Sequence, residues 1–278
     1  MTYSIVARDG ETGELGVGVQ SQAFNTGAAV PWVRPGIGAI ATQSFTDRRY
    51  GWRGLELLAA GRPPQQALDE LREADPLPGF RQVASLDASG ATAQWTGEHC
   101  VPSAGSAAGD GWAAQGNMLA AEAWHEMGAA FEATSGSLAQ RLMAALEAAE
   151  AAGGDWRGRG GAAIRVVPAE GEPWERVIDL RVEEGDDSLV ELRRLLGRAE
   201  GYRAAHRARP SAPVGAERGL PATYVRWLAL LDAAGTGDVE GGRRILAELE
   251  AVHPRWRDMA RAMTLHPEAP PLGEILGE

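Results

Sequence analysis

The order in which strand-like and helix-like segments follow one another constrains the fold of this chain more than any other feature of its sequence. Alternating residues predict an N-terminal hairpin with strands over 3–8 and 15–21. A third strand is predicted over 37–42, and helical patterns over 52–60 and 64–74 come next. Grouped runs of this kind favour antiparallel sheets with helices packed outside them over strict strand–helix alternation.

The grouping continues along the chain. In order, the patterns predict strands over 81–87, 91–96 and 111–115, a helix ending at Glu132, a helix over 138–151, strands over 162–167 and 176–182, and a helix from Ser188. Gln115-Gly116-Asn117 is predicted to be the turn from a strand into the first of these helices. We therefore expect an α+β domain over residues 1–197.

The composition changes after Leu196, where arginines surround Pro210 and Pro213. This pattern predicts an exposed linker over 198–218. Beyond it, helices predicted over 221–233 and 239–252, with a third after Pro254, indicate a small all-helical domain over 219–278. The residues expected to form its core, at helical spacing, are Trp227, Leu228, Leu231, Ile245, Leu246, Leu249, Trp256 and Met259.

The basic residues exclude several kinds of chemistry. All 27 are arginine, and the 278-residue chain contains no lysine. Schiff-base catalysis, pyridoxal phosphate attachment and phosphate binding by a lysine-containing loop are therefore excluded. The formal charge of −11 argues against a nucleic-acid partner.

Composition also indicates the compartment. The single cysteine, Cys100, cannot form an internal disulfide, which is typical of a reducing compartment. The N-terminus lacks the pattern of a signal peptide, and no apolar stretch is long enough to span a membrane. We expect a soluble cytoplasmic protein with no membrane partner.

No cofactor or metal is expected. The five histidines and one cysteine form no zinc-ligand pattern, and the Gly-x-Ser-x-Gly motif of serine hydrolases is absent. Residues 36–41 match a loose dinucleotide-binding pattern, but strand-like residues follow where that motif needs a helix.

One arrangement of catalytic groups needs no lysine, cysteine or histidine. If Met1 is removed, Thr2 carries a hydroxyl beside its own α-amine, whose pKa is near 8, so that nucleophile and general base share one residue. Cys100 is the competing nucleophile, with His99 beside it in the chain. A packing role for this thiol is favoured, because an extended segment would direct the two side chains to opposite faces.

Several blocks of sequence are similar to a known family. They cover residues 2–9, 13–21, 30–39, 50–51, 115–119 and 153–158. Together they resemble, over roughly residues 1–197, the domain-of-unknown-function 1028 family of the N-terminal nucleophile (Ntn) hydrolase superfamily. The resemblance implies a four-layer αββα sandwich with an active centre at the start of the first strand. Residues 219–278 resemble a small peptidoglycan-binding-like module found in some members.

The same resemblance implies roles for individual residues. Thr2 would be the nucleophile, with Ser4 on the same strand face and Ser21 across the hairpin, both able to contact its hydroxyl. Backbone N–H groups at Gly116-Asn117 would form an oxyanion hole. Asp155 would orient the α-amine.

Two functions remain open. The first is an Ntn-type amidohydrolase that cleaves an amide bond in a small-molecule or peptide-like substrate. The second is a catalytically silent Ntn-like fold that binds a small ligand or a partner. In either case the C-terminal helices could recruit the sandwich to a cell-wall polymer or a protein, and a homo-oligomer stays open.

Overall fold

The computed structural model of the chain describes residues 2–207 and 220–277. The chain divides into two compact units, residues 1–196 and 197–278. The helix that begins at Ser188 continues to Arg207, so the first ten residues of the predicted linker are helical. The remainder of that linker, residues 208–218, lies outside the described residues.

The larger sheet of the first unit is antiparallel and, within the described residues, six-stranded. Its order is β10 (Ile178–Val182), β9 (Gly161–Val167), β2 (Leu15–Ser21), β1 (Thr2–Arg8), β8 (Trp112–Asn117) and β7 (Gly105–Gly109). Because β1 lies inside the sheet, its first residue is flanked on both sides: Thr2 is opposite Ser21 on β2 and opposite Asn117 on β8.

A second antiparallel sheet packs against the first. Among the described residues it has four strands, in the order β3 (Pro31–Arg34), β4 (Gly38–Ser44), β5 (Arg81–Asp87) and β6 (Thr92–Thr96). Alternate residues of the inner strands of both sheets form one buried apolar cluster that includes Val6, Val17, Ala39, Ala41 and Ala84. This cluster is the physical reason for the period-2 pattern in the sequence, since only one face of each strand points into it.

Helices contact the outer faces of both sheets. Two of them, α2 (Arg49–Ala59) and α3 (Pro64–Glu73), contact the four-stranded sheet. Another two, α4 (Ala123–Ala133) and α5 (Leu138–Ala151), contact the six-stranded sheet. The first unit also contains the short α1 (Thr26–Ala29) and the start of α6 (Ser188–Arg207), which continues beyond residue 196. These elements are an α+β fold built on two antiparallel sheets.

The predicted turn at Gln115-Gly116-Asn117 is wrong. These residues are the last three of β8, and α4 begins only at Ala123. The strand ends because Met118 adopts a left-handed conformation, with φ 57°, and the next residue, Leu119, forms an isolated bridge with Asp155. The chain therefore crosses to the loop around Asp155 before it enters the helix.

The second unit contains α7 (Ala222–Thr236), α8 (Val239–Val252), α9 (Trp256–Met263) and α10 (Gly273–Leu276). Its apolar core includes Trp227, Leu246 and Leu249, as the helical spacing predicts. Met259 was expected in this core but is 43% exposed, because α9 turns the neighbouring Ala260 inward. The sequence pattern also missed α10, whose Ile275 and Leu276 pack into the core.

Membrane-spanning candidates are lacking among the residues that the structure describes. None of their helices combines the length and the apolar character needed to cross a bilayer.

A buried ion pair fixes the segment between α3 and β5. The Asp75 carboxylate, whose side chain is 2% exposed, accepts hydrogen bonds from Arg81 Nε at 2.8 Å and from the Tyr50 hydroxyl at 3.0 Å. Hydrogen bonding to Arg81 lowers the pKa of Asp75 from 3.8 to about 2. The Arg81 side chain is itself only 12% exposed, so each member of the pair depends on the other.

We expect Asp75→Ala to lower the free energy of unfolding by about 3–5 kcal/mol at pH 7, because it leaves the Arg81 guanidinium buried without its main partner. Since the folded pKa lies below the unfolded value, the stabilisation by Asp75 is present above about pH 4 and disappears as the pH falls towards 2. Urea unfolding between pH 7 and pH 2 measures both effects. The control Asp69→Ala removes a carboxylate whose side chain is 45% exposed and should change stability by less than about 0.5 kcal/mol. Equal stability of the two variants at pH 7 would contradict this role of Asp75.

Candidate active site

The space between the two sheets changes from apolar to polar along β1. Val6 belongs to the apolar cluster, whereas Ser4 and Thr2, which lie on the same strand face, are surrounded by polar side chains. Seven of the buried polar residues at this end of the sheets are Thr2, Ser4, Ser21, Gln43, Gln82, Gln115 and Asn117. This is the end at which β1 begins and β2, β4 and β8 terminate. We call these seven residues the polar end.

Thr2 is held directly across the hairpin from Ser21. It is 9% exposed, and its hydroxyl donates a hydrogen bond of 3.0 Å to Ser21 Oγ. Ser21 Oγ also accepts a bond of 3.1 Å from the backbone N–H of Ala23, in the loop that follows β2. The register of the hairpin thus brings two predicted site residues together.

Gln82 on β5 connects both sheets from its buried position. Its Nε2 donates to the carbonyl oxygen of Gly116 at 2.8 Å and to that of Gly105 at 3.1 Å. Its Oε1 accepts from Gln43 Nε2 at 2.9 Å and from Asn117 Nδ2 at 2.8 Å. Because carbonyl oxygens only accept hydrogen bonds, they fix which end of the Gln82 amide faces them.

Gln43 on β4 extends this network to the backbone of Thr2 and to Ser4. Its Nε2 donates to the carbonyl oxygen of Thr2 at 3.1 Å, and its Oε1 accepts from the Ser4 hydroxyl at 2.7 Å. Ser4 Oγ in turn accepts from Gln115 Nε2 at 3.2 Å. The hydroxyl of Ser4 is therefore engaged with two glutamines of the polar end, and its proton is directed at Gln43.

Asp155 anchors the loop after α5 to the end of β2. Its side chain is fully buried and accepts hydrogen bonds from the backbone N–H of Gln22 at 3.0 Å and from that of Arg157 at 2.9 Å. The guanidinium of Arg157 also pairs with this carboxylate at 3.1 Å. Gln22 directly follows Ser21, so Asp155 positions the segment beside the polar end.

On the opposite face of β1, Tyr3 helps to hold the loop after α5 in place. Tyr3 is fully buried, and its hydroxyl donates to Glu150 Oε2 at 2.9 Å. Glu150 Oε1 accepts from Arg159 Nε at 2.6 Å, in the loop beyond Asp155. Burial and the nearby Glu150 carboxylate raise the pKa of Tyr3, so it remains a protonated donor.

Strained backbone is concentrated around the polar end. Within the described residues, the non-glycine residues with positive φ are Asn25 (61°), Ser44 (68°), Ser103 (60°) and Met118 (57°). They follow β2, close β4, precede β7 and follow β8, and these positions all lie at the end of the sheets where β1 begins. Left-handed conformations are unfavourable for such residues and are concentrated at functional sites in proteins.

The thiol of Cys100, the competing nucleophile, lies in a different environment from that of Thr2. Cys100 is 9% exposed, and its Sγ lies 3.3 Å from the carbonyl oxygen of Arg81, to which it donates. The side chain of the neighbouring His99 is 58% exposed, and its Nε2 lies 3.9 Å from Glu98. The described residues contain no group of three or more histidine, cysteine, aspartate or glutamate side chains that could hold a metal ion.

Sequence reasoning missed the three buried glutamines. Gln43, Gln82 and Gln115 lie on strands whose other inward residues are apolar or small, such as Ala41, Ala84 and Ala113. The sequence signal that could have identified them is a glutamine at a strand position that the alternating pattern directs into the core.

The fold and the polar end identify the chain as an α+β protein with a buried threonine hydroxyl at the start of a central strand. The model for a family of unknown function, DUF1028, matches residues 2–192, and the chain belongs to this family.

Two solved structures match the chain to different degrees. The crystal structure of a DUF1028 protein from Silicibacter pomeroyi is 30% identical and has a TM-score of 0.66, covering 71% of this chain and 88% of its own. The structure of Anbu (ancestral beta-subunit) from Yersinia bercovieri is 11% identical, covers 76% of this chain and 99% of its own, and has a TM-score of 0.35, too low to support a conclusion. No curated protein matches the chain.

Proposed function

We propose that this protein is an Ntn-type hydrolase in which Thr2, after removal of Met1, attacks the carbonyl carbon of an amide bond. The observation that carries the proposal is the position of the Thr2 hydroxyl, bound to Ser21 at the polar end of two packed sheets. In this proposal, the two sheets and the helix pairs on their outer faces form the αββα sandwich of the superfamily.

The proposed chemistry begins at the N-terminus. The α-amine of Thr2, with an ordinary pKa near 8, removes the hydroxyl proton, and the Thr2 oxygen forms a bond to the carbonyl carbon. Collapse of the tetrahedral intermediate expels the amine of the substrate, which takes up the proton, and leaves an ester on Thr2. Water then hydrolyses that ester. Ser21 Oγ holds the Thr2 hydroxyl in place before attack, and the hydroxyl proton turns from Ser21 to the α-amine as attack begins.

The oxyanion would be stabilised by backbone N–H groups at Gly116 and Asn117. In this scheme the donors are main-chain N–H groups, whereas the side-chain Nδ2 of Asn117 donates to Gln82. A Cβ atom at Gly116 would lie 2.3 Å from Leu119 Cδ1, so a larger residue there would displace the Leu119 side chain. Asp155 acts on the site through Gln22 and the end of β2, and Ser4 through Gln43.

A reactive probe tests this proposal. A β-lactone that carries a fluorophore acylates nucleophilic threonines, and peptide mapping locates the label. We expect one label per chain, on a peptide that begins with Thr2. Labelling at Cys100 alone, or labelling of a chain that retains Met1, would contradict the mechanism. A chain that keeps Met1 but binds amides would instead support the silent, ligand-binding alternative.

A second proposal concerns the C-terminal unit, which we propose binds a partner of its own, such as a cell-wall polymer. A hollow of about 640 Å³ is lined by His253, Arg255, Trp256, Asp258 and Met259. It combines an aromatic ring and an exposed methionine with charged groups of both signs, a composition typical of binding surfaces.

Sedimentation with insoluble peptidoglycan tests this second proposal. We expect the full chain to sediment with the polymer and a chain lacking residues 210–278 to stay in solution, with its β-lactone labelling unchanged. Arg255→Ala, which alters the hollow without touching the helical core, should weaken binding by about tenfold. Equal sedimentation of the full and shortened chains would contradict the assignment.

A further inference from the structure

Asn117 carries a buried acceptor that has no hydrogen-bond partner. The residue is 1% exposed, and its Oδ1 makes no hydrogen bond, although almost all buried side-chain oxygens in folded proteins have one. Leaving such an oxygen unpaired costs free energy, so the arrangement calls for an explanation.

The orientation of this amide is forced by its neighbours. Gln82 must direct Nε2 at the carbonyl oxygens of Gly116 and Gly105, so its Oε1 faces Asn117. Only the Nδ2 end of Asn117 can donate to that oxygen, and a flipped amide would set two acceptors against each other. The Oδ1 atom of Asn117 therefore points away from Gln82.

Thr2 is the residue directly opposite Asn117. The two face each other across β1 and β8, and side chains paired in this way have Cβ atoms about 4.5–5.5 Å apart. Asn117 is the last residue of β8, and its pairing partner Thr2 is the first residue of β1. On β1, the groups nearest to the Asn117 side chain are therefore those of Thr2.

We infer that Asn117 Oδ1 accepts a hydrogen bond from the α-amino group that Thr2 acquires when Met1 is removed. This inference rests on that part of the proposed function, but it does not require hydrolysis. Asn117 is then a positioning residue, which holds the amine beside the Thr2 hydroxyl, and Gln82 sets its direction.

The polar and charged groups around the start of β1 allow the proposed bond to be detected through the pKa of the amine. From β2, β4, β5 and β8 the neighbouring polar side chains are neutral: Ser21, Gln43, Gln82 and Asn117. The charged groups come from α5 and the loop after it, where Asp155 pairs with Arg157, and Glu150, which accepts from Tyr3, pairs with Arg159. Loss of the Asn117 acceptor should therefore shift the pKa of the amine without removing a neighbouring charge.

The test uses the absence of lysine. In a full chain that begins at Thr2, prepared by cleavage of an N-terminal fusion, the α-amine is the one primary amine of the sequence. The pH dependence of its acetylation by acetic anhydride, read by peptide mass, gives its pKa. We expect Asn117→Ala to lower that pKa by about one unit, because the ammonium form loses an acceptor, and Asn117→Asp to raise it.

Gln94→Ala is the matched control, because Gln94 also bridges the sheets, by donating to Ala107 and Ala114, but does so away from Thr2. Its amine pKa should equal that of the wild type. If the Asn117 variants fail to fold, the side-chain amide resonances of Asn117 in the wild type serve instead and should shift with the amine titration. An unchanged pKa in Asn117→Ala, or resonances that do not follow the titration, would overturn the inference. Failure of β-lactone labelling alone would contradict hydrolysis and leave this bond standing.

Discussion

Thr2→Ala is expected to reduce the rate of β-lactone labelling at the N-terminus by roughly 10³-fold or more, because the variant lacks the hydroxyl oxygen that forms the ester in the proposed mechanism. Thr2→Ser keeps that oxygen and should retain labelling within about tenfold of the wild type. The measurement is the second-order rate constant of labelling at pH 8, followed by intact mass. In the wild type this constant should fall as the pH drops below the pKa of the α-amine, since only the unprotonated amine acts as a base.

The matched control for this prediction is Thr12→Ala. Thr12 is exposed in the turn between β1 and β2, at the far end of the strand, where its hydroxyl accepts a bond from the backbone N–H of Glu14. Its removal should leave the labelling rate unchanged. Equal labelling of Thr2→Ala and the wild type would place the reactive group elsewhere and contradict the assignment of Thr2.

Gln82→Leu is expected to lower the free energy of unfolding by about 3–5 kcal/mol, because one substitution removes a set of buried hydrogen bonds. It leaves the carbonyl oxygens of Gly116 and Gly105 without this donor and Asn117 Nδ2 without its acceptor. Leucine has a similar volume, so most of the loss reflects unpaired polar groups. The midpoint of urea unfolding, at constant slope, measures this change.

Two comparisons keep this prediction specific to the polar end. Gln65→Leu alters an exposed glutamine on α3 and should change stability by less than about 0.5 kcal/mol. Gln82→Glu keeps the shape and one acceptor, but as a carboxylate it cannot donate to the two carbonyl oxygens, so it should also be destabilising. Wild-type stability in both Gln82 variants would show that the network does not hold the two sheets together.

Local sequence patterns predicted much of the first unit because its elements are regular. The hairpin of β1 and β2 follows from alternation around a turn rich in glycine, and the bounds of α5 follow from an apolar face and the capping pair Ser137 and Gln140. By contrast, β7 contains only glycine, serine and alanine, which have little preference for strands. It forms because β8 offers it a pairing edge.

The candidate site was predictable only where its members are close in the chain. Thr2 and Ser21 are paired by the register of one hairpin, so their proximity follows from the sequence. Gln43 and Gln82 reach Thr2 from the other sheet, and no spacing along the chain encodes that packing. The position of Asp155 was suggested by the family resemblance, but its bonds to Gln22 and Arg157 required the tertiary structure.

Because the chain contains no lysine, the proposed mechanism depends on the amine at the N-terminus. Without an ε-amino group, the base in the proposed mechanism is the α-amine of Thr2, in a polar end composed of neutral amides and hydroxyls. The arginines near this end are paired with carboxylates, as Arg157 is with Asp155, and a guanidinium is not a general base at neutral pH.

The identity of the first residue in the mature protein tests the central claim most directly. Peptide mapping of the protein isolated from its native cells is expected to show an N-terminal peptide that begins with Thr2 and carries an unmodified α-amine. A mature protein in which Met1, or any longer segment, still precedes Thr2 would have no α-amine beside the Thr2 hydroxyl and would contradict the proposed mechanism.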